Sequence, residues 1–138
     1  SDVPNKNYQF MVKVLKIVSK NSPVTVINPP EKVNEFNCIY TETQDQTMNV
    51  MLENEIYFHA SEFETVGLPI YEAQNLGLKV VVPKKSYTEY FIKDNVFLYE
   101  FNNVESAVQK IKDAQNLKLK NSKALIYNEN WAKILEYI

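Results

Sequence analysis

Residues 64–77 read Glu-Thr-Val-Gly-Leu-Pro-Ile-Tyr-Glu-Ala-Gln-Asn-Leu-Gly, and they contain both glycines of the 138-residue chain. Glycine tolerates positive φ angles and lets a backbone approach a ligand closely, so its restriction to one stretch marks where the chain needs that freedom. Residues 57–60 precede the stretch and predict the end of an apolar strand. Pro69 is typical of the first position of a helix, and Gly77 of its end. The stretch therefore predicts a loop that leads from a strand into a helix.

The composition is that of one soluble domain, which we assign to residues 1–138. No run approaches the roughly 18 apolar residues that a transmembrane helix needs. A net charge of -2 with dispersed lysines argues against nucleic acid as a partner. Cys38 is the only cysteine, which excludes a disulfide framework and fits a reducing, cytoplasmic setting. One histidine, one cysteine and no clustered carboxylates match no metal-ligand spacing, so we predict no metal site.

Strands and helices alternate along the chain. The patterns predict strands at residues 24–27, 38–41, 56–60, 79–83 and 96–99, and helices at 8–20, 46–54, 87–93, around 104–111, at 122–127 and at 131–138. This order predicts an α/β fold, with a Rossmann-like, mostly parallel sheet and helices on both faces. The link between the first two strands is short for a helical crossover, so it is either compressed or joins an antiparallel pair. Such folds usually begin with a strand, whereas this chain begins with a helix, so we expect the first strand to lie outside it.

The helix start predicted at Pro69 offers a site for an anion. Ligands of open α/β sheets lie beyond the carboxyl ends of the strands, where helix N-termini present unpaired amides and positive potential. The amides of Val66, Gly67 and Leu68 are expected to converge there, and Gly67 has no Cβ to block the approach. A phosphate is the natural guest of this site.

Two glutamates flank this predicted anion site. Glu64 lies in the loop, and Glu72 is predicted in the first helical turn. Carboxylates repel a phosphate, so their natural role is to accept hydrogen bonds from hydroxyl groups farther along the same ligand. A sugar nucleotide supplies both kinds of group. The alternative is that Glu64 and Glu72 are solvated surface residues, because short motifs match by chance.

Residues 61–73, followed by Gly77 and the Val80-Val81-Val82-Pro83 strand, closely resemble the donor-site signature of the family 4 glycosyltransferases, which have the GT-B fold. That signature has Ser, Glu, a segment enclosing Gly-Leu-Pro, a second Glu followed by Ala, then Gly and a Val-Val strand. The resemblance implies that this chain is the C-terminal, nucleotide-sugar-binding domain of such an enzyme.

The resemblance also implies roles for individual residues. Glu64 would be the catalytic residue that contacts the donor sugar near its reacting carbon, and Glu72 would hold the ribose hydroxyls. Lys6 would neutralise the diphosphate with an Arg expected about five residues earlier, outside this chain. The implied donor-binding set is Lys6, Thr65, Val66, Gly67, Leu68 and Glu72.

The resemblance further implies sugar transfer from a UDP-, GDP- or ADP-sugar with retention of configuration, in polysaccharide or glycoconjugate biosynthesis. The nucleotide-sugar is then a substrate, and no cofactor is expected. The expected partner is the enzyme's own N-terminal acceptor domain. Any peripheral association of the enzyme with the cytoplasmic face of a membrane is expected to occur through that domain. The chain alone is expected to be inactive. Two alternatives stay open: a sugar-nucleotide epimerase of the same fold, and a non-catalytic α/β binding module.

Three further positions lie near the predicted site. His59, the only histidine, is expected to pack or cap at the end of the third strand rather than to catalyse. Lys84 and Lys85 are interpreted as a solvated strand end. The loop at residues 41–43 is expected to border the nucleobase.

Overall fold

The computed structural model describes residues 6–64, 67–89, 95–117 and 134–137. Within these ranges the chain forms, in order, α1 (Tyr8–Val18), β1 (Val24–Ile27), β2 (Asn37–Ile39), α2 (Gln44–Leu52), β3 (Ile56–Phe58), α3 (Leu68–Asn75), β4 (Lys79–Pro83), a 3-10 turn (Ser86–Thr88), β5 (Val96–Tyr99), α4 (Val104–Asn116) and β6 (Ile134–Tyr137). The predicted helix at 122–127 lies outside the described residues, as does most of the predicted 87–93 helix beyond the 3-10 turn.

The strands form a parallel sheet in the order β2-β1-β6-β3-β4-β5. The predicted Rossmann-like α/β class is therefore confirmed. β4 lies inside the sheet between β3 and β5, and all five of its residues are buried. Its run of valines suits this position, because a strand covered on both faces favours β-branched apolar side chains throughout.

The first two strands are parallel, so the link between them is compressed rather than a hairpin. Residues 28–36 connect β1 to β2 without a helix. Asn28 ends β1 with φ 55°, a left-handed conformation that Asn adopts more readily than most residues. Its side chain accepts a hydrogen bond from the Thr41 amide at 2.9 Å and donates to the Thr41 hydroxyl at 3.2 Å. These bonds hold the carboxyl ends of β1 and β2 together.

The prediction of a helix at residues 131–138 is wrong, because Ile134–Tyr137 form strand β6. This strand lies between β1 and β3 and pairs with both. Ile134 is fully buried between Val24 and Ile56 of those neighbours. Backbone hydrogen bonds on both sides and burial in the centre of the sheet outweigh the local helical pattern.

Helices cover both faces of the sheet. On one face α1 and α4 pack over side chains that include Val26, Phe58 and Val81. On the other face α2 and α3 cover Tyr57, Val80 and Val82. The alternation along β3 and β4 follows from the two-residue period of a strand, which sends successive side chains to opposite faces. The core is therefore two layers of side chains with the sheet between them.

A buried lysine ties β4 to the end of α4. Lys79 is only 4 % exposed, and its ammonium donates to the carbonyl oxygens of Ala114, at 2.6 Å, and Leu117. Burial lowers the pKa of Lys79 below 10.5, and the charge of Glu55 opposes this shift. Lysines near a helix C-terminus stabilise the last carbonyls, which lack intrahelical donors.

We expect Lys79→Met to lower the free energy of unfolding by about 1.5–3 kcal/mol, because it removes charged hydrogen bonds to buried carbonyls. Urea unfolding of the purified chain measures this change. Lys112→Met, at an exposed position of α4, is the matched control and should shift stability by less than about 0.5 kcal/mol. Equal effects of the two substitutions would show that the Lys79 contacts stabilise nothing.

Candidate functional site

The carboxyl edge of the sheet is where the fold offers a ligand site. The strand order runs outward in opposite directions from the centre, with β1 and β2 on one side and β3, β4 and β5 on the other. In open α/β sheets such a reversal leaves a crevice beyond the carboxyl ends of the strands. The segments that leave β1 and β3 here, and the start of α1, bring Asn28, His59, Glu64 and Lys6 to this edge.

Helix α3 begins at this edge with a glycine and ends with one. Gly67 precedes the helix with φ 75°, a conformation that costs a residue with a Cβ considerably more. Gly77, with φ 86°, ends it: its amide donates to Gln74, and the next amide donates to Ala73. This is the Schellman arrangement. Both glycines therefore serve the conformations that bound the helix.

Two details of the predicted helix start need correction. The helix begins at Leu68, so Pro69 occupies its second position rather than its first. Glu72 consequently lies at the start of the second turn, one residue farther along the helix than predicted. The helix potential falls off within the first turn, so it stabilises the Glu72 charge less than the sequence suggested. Pro69 has no amide hydrogen, and the Ile70 amide donates to the Gly67 carbonyl at 3.0 Å. The Gly67 and Leu68 amides remain without an intrahelical acceptor.

The Glu64 carboxylate meets two nitrogen groups. Its Oε2 atom lies 3.1 Å from His59 Nε2 and 3.9 Å from Lys6 Nζ, and its side chain is 15 % exposed. The pKa of Glu64 lies below its ordinary value of 4.5, chiefly because of the His59 contact, with a smaller contribution from the Lys6 charge. Partial burial opposes this shift. Glu64 is thus an ionised carboxylate whose side chain is still partly exposed to solvent.

His59 lies behind Glu64 in the interior, where it is 2 % exposed. Its Nδ1 atom is 2.9 Å from the Tyr57 hydroxyl. Its Nε2 atom lies 3.1 Å from Glu64 Oε2 but has no regular hydrogen bond among the described residues. Burial lowers the pKa of His59 below 6.5, and the neighbouring Glu64 carboxylate opposes that shift. The imidazole is therefore neutral at physiological pH.

Glu72 is reached from another element, helix α2. Gln44, the first residue of α2, donates its side-chain amide to Glu72 Oε2. A capping box formed by Thr43 and Gln46 fixes where α2 begins. The Thr41 and Thr47 hydroxyls are 2.7 Å apart and link the preceding loop to the same helix. Glu64 and Glu72 are thus held by different partners on different elements.

The structure places one pair of the predicted site residues that it describes side by side. Lys6 and Glu64 are neighbours, and Gly67 and Leu68 form the start of α3. Thr65 and Val66 lie outside the described residues.

Sequence reasoning missed two residues of this edge. It assigned His59 no part beside Glu64, and it did not single out Gln44 at all. The spacing Thr-x-x-Gln at residues 43–46 would have placed Gln44 at a helix start, whereas no sequence signal fixes the loop path that brings His59 to Glu64.

Lys84 and Lys85 are engaged in local contacts. Lys84 pairs with Glu100, and both side chains are more than half exposed. The Lys85 ammonium lies 3.8 Å from the centre of the Phe101 ring and 5.9 Å from that of Phe63, within reach of cation–π attraction. These contacts connect the segments that follow β4 and β5.

The fold described above is that of a Rossmann-like α/β domain. The family described as "Glycosyl transferases group 1" matches residues 31–131. The chain belongs to this family of glycosyl-transferring enzymes, and its fold is that of the C-terminal domain of a GT-B glycosyltransferase. A search of curated proteins finds no match to the chain.

Two kinds of feature are absent from residues 6–64, 67–89, 95–117 and 134–137. None of the helices there is both long and apolar enough to span a bilayer. The same residues include no cluster of three or more His, Cys, Asp or Glu side chains suited to a metal ion.

The His59 and Glu64 pKa values predict that acid destabilises the fold. The folded pKa of His59 lies below 6.5, so the unfolded chain binds more protons as the pH falls through 6.5, and stability decreases. Glu64, with a folded pKa below 4.5, adds a second loss as the pH falls below 4.5. Each proton contributes at most about 1.4 kcal/mol per pH unit.

Urea unfolding from about pH 7.5 to about pH 5.5 isolates the histidine step. His59→Gln should flatten this step, and an equally steep loss in that variant would contradict the assignment.

Proposed function

We propose that this chain is the donor-binding domain of a glycosyltransferase that moves a sugar from a nucleotide-sugar to an acceptor, with retention of configuration. The observation that carries the proposal is the start of α3, where Gly67 opens a helix at the carboxyl edge between two separately held glutamates. Free amides at that helix start suit a diphosphate. The glutamates on either side suit the hydroxyl groups of a ribose and of a sugar.

In this proposal each described group has one task. The Gly67 and Leu68 amides bind the diphosphate, and Thr65 and Val66 complete the donor-binding set. Lys6 contributes positive charge near the leaving group while Glu72 accepts hydrogen bonds from the ribose. Glu64 faces the sugar, where positive charge develops as the diphosphate departs. Catalysis is then electrostatic stabilisation of separating charges rather than acid–base hydrolysis.

The donor is a UDP-, GDP- or ADP-sugar, and it is a substrate rather than a cofactor. We further propose that the acceptor binds to an N-terminal domain of the same enzyme, and that the enzyme builds a polysaccharide or glycoconjugate in the cytoplasm. On this proposal the chain alone binds donor weakly and transfers no sugar. Turnover by the chain alone would contradict this division of labour.

The buried position of His59 argues against the epimerase alternative. An epimerase needs an acid or base that reaches a carbon of the sugar, whereas His59 is 2 % exposed and lies behind Glu64. A non-catalytic binding module would leave Glu64 and Glu72 without function, so it predicts no effect of their substitution on donor binding.

We expect Glu72→Gln to weaken nucleotide-sugar binding about 10- to 100-fold, because hydrogen bonds to a charged acceptor contribute about 1.5–3 kcal/mol. Calorimetric titration with UDP-, GDP- and ADP-glucose measures the affinity. Glu105→Gln, in the first turn of α4 and exposed, is the matched control and should bind as the parent chain does. Equal affinities of Glu72→Gln and the parent chain would show that Glu72 does not touch the donor.

A further inference from the structure

His59 is held in place by backbone hydrogen bonds and by a ring contact. Its backbone amide donates to the Val81 carbonyl of β4 at 2.9 Å. Its own carbonyl accepts a hydrogen bond at 2.8 Å from the hydroxyl of Tyr99, the last residue of β5. The ring of Tyr87 meets its imidazole edge-on at 6.1 Å. Two neighbouring strands and the turn after β4 therefore fix the position of the imidazole.

The partners of the ring decide where its proton lies. A neutral imidazole has one donor nitrogen and one acceptor nitrogen. Nε2 lies 3.1 Å from the ionised Glu64 carboxylate, which only accepts hydrogen bonds, so the proton belongs on Nε2. Nδ1 is then the acceptor, and the Tyr57 hydroxyl donates to it at 2.9 Å. The order Tyr57, His59, Glu64 forms a chain of donors that ends at the open edge of the sheet.

We propose that His59 is a positioning residue for Glu64: it presents its Nε2 proton to the carboxylate while its Nδ1 atom accepts from the Tyr57 hydroxyl. The inference rests on the proposed function, because it names what orients the carboxylate that faces the donor sugar. His59 itself is too buried to touch a ligand.

Protonation of His59 changes the hydrogen bond between its ring and the Tyr57 hydroxyl. The charged groups that face the ring are Glu64 and Lys6, and the neighbouring Tyr57 and Tyr87 side chains are neutral. A proton on Nδ1 turns that nitrogen into a donor, so the Tyr57 hydroxyl has to rotate and accept the hydrogen bond instead.

Because the chain has one histidine, nitrogen NMR of its imidazole is free of overlap. At neutral pH we expect a protonated Nε2 and an unprotonated Nδ1. Glu64→Gln should lower the His59 pKa further, because the carboxylate favours the imidazolium. A proton on Nδ1, or a His59 pKa that ignores Glu64→Gln, would overturn the inference whether or not the chain binds a nucleotide-sugar.

Kinetics of the complete enzyme give the second test. His59→Phe should lower kcat about 100-fold with little change in the donor KM, because a misplaced catalytic group slows the reaction more than it weakens binding. His59→Gln, which keeps an N–H donor, should recover at least about 10-fold of that loss. Full kcat in folded His59→Phe, or no recovery with glutamine, would overturn the inference. Absence of any nucleotide-sugar binding would instead refute the proposed function and leave the NMR result to decide the Glu64 contact.

Discussion

Replacing Glu64 by glutamine lowers the kcat of sugar transfer by about 100- to 1,000-fold in the complete enzyme, which is our expectation for the largest functional effect. The substitution preserves shape but removes the negative charge. Breaking a glycosidic bond to a diphosphate leaves positive charge on the sugar, and a fixed carboxylate stabilises that charge in the transition state. The low pKa of Glu64, which follows from its His59 contact, keeps that charge present at physiological pH. The donor KM should change little, since the charge develops only in the transition state.

Initial rates over a range of donor concentrations separate kcat from KM. Glu62→Gln is the control, because this residue is a partly exposed glutamate two positions earlier on the same loop. It should keep kcat within about threefold of the parent enzyme. An enzyme in which both substitutions have the same small effect would not use Glu64 in catalysis.

The largest effect on stability should come from Tyr99→Ala, which we expect to cost about 3–5 kcal/mol. Tyr99 is fully buried, and its ring stacks on Phe10 at 5.9 Å and on Phe58 at 5.5 Å. Its hydroxyl donates to the His59 carbonyl. The substitution therefore opens a cavity beside α1, weakens the packing of two strands and leaves a buried carbonyl without its donor. Urea unfolding of the chain, followed by circular dichroism, measures the loss.

Two further variants divide this effect into its parts. Tyr99→Phe keeps the ring and removes the hydroxyl, so it should cost only about 1 kcal/mol. Tyr40→Ala removes a tyrosine that is 60 % exposed and should change stability by less than about 0.5 kcal/mol. A loss for Tyr99→Ala no larger than that for Tyr40→Ala would contradict the packing described for this core.

Local sequence patterns predicted most of the fold because most elements carry their own signal. The valine run of β4 and the amphipathic pattern of α1 each specify an element and its buried face. The prediction for β6 failed because its local pattern suits a helix, whereas its backbone pairs with β1 and β3 in the sheet. A short segment of this kind is decided by its neighbours in the sheet, which no local window contains.

The candidate site also has features that the sequence predicts and features that it does not. The roles of Gly67 and Gly77 were predictable, because a positive φ angle favours glycine and the residue type therefore indicates the conformation. The contact of His59 with Glu64 was not, because it depends on the path of the intervening loop and on the carbonyl and hydroxyl groups that fix His59 from β4 and β5. Residues that act through a neighbour have no motif of their own, so their role becomes visible only when the loop is folded.

The central claim is that a nucleotide-sugar diphosphate binds at the start of α3, and the two glycines allow a direct measurement. Gly67 lies at the N-terminal end of that helix and Gly77 at its other end, so selective labelling of glycine with ¹⁵N yields one amide at the proposed site and one internal control. During titration with UDP-, GDP- and ADP-glucose, the Gly67 signal should move progressively with one of them while the Gly77 signal stays in place. A Gly67 signal that none of the three moves, or equal movement of both glycines, would contradict the claim.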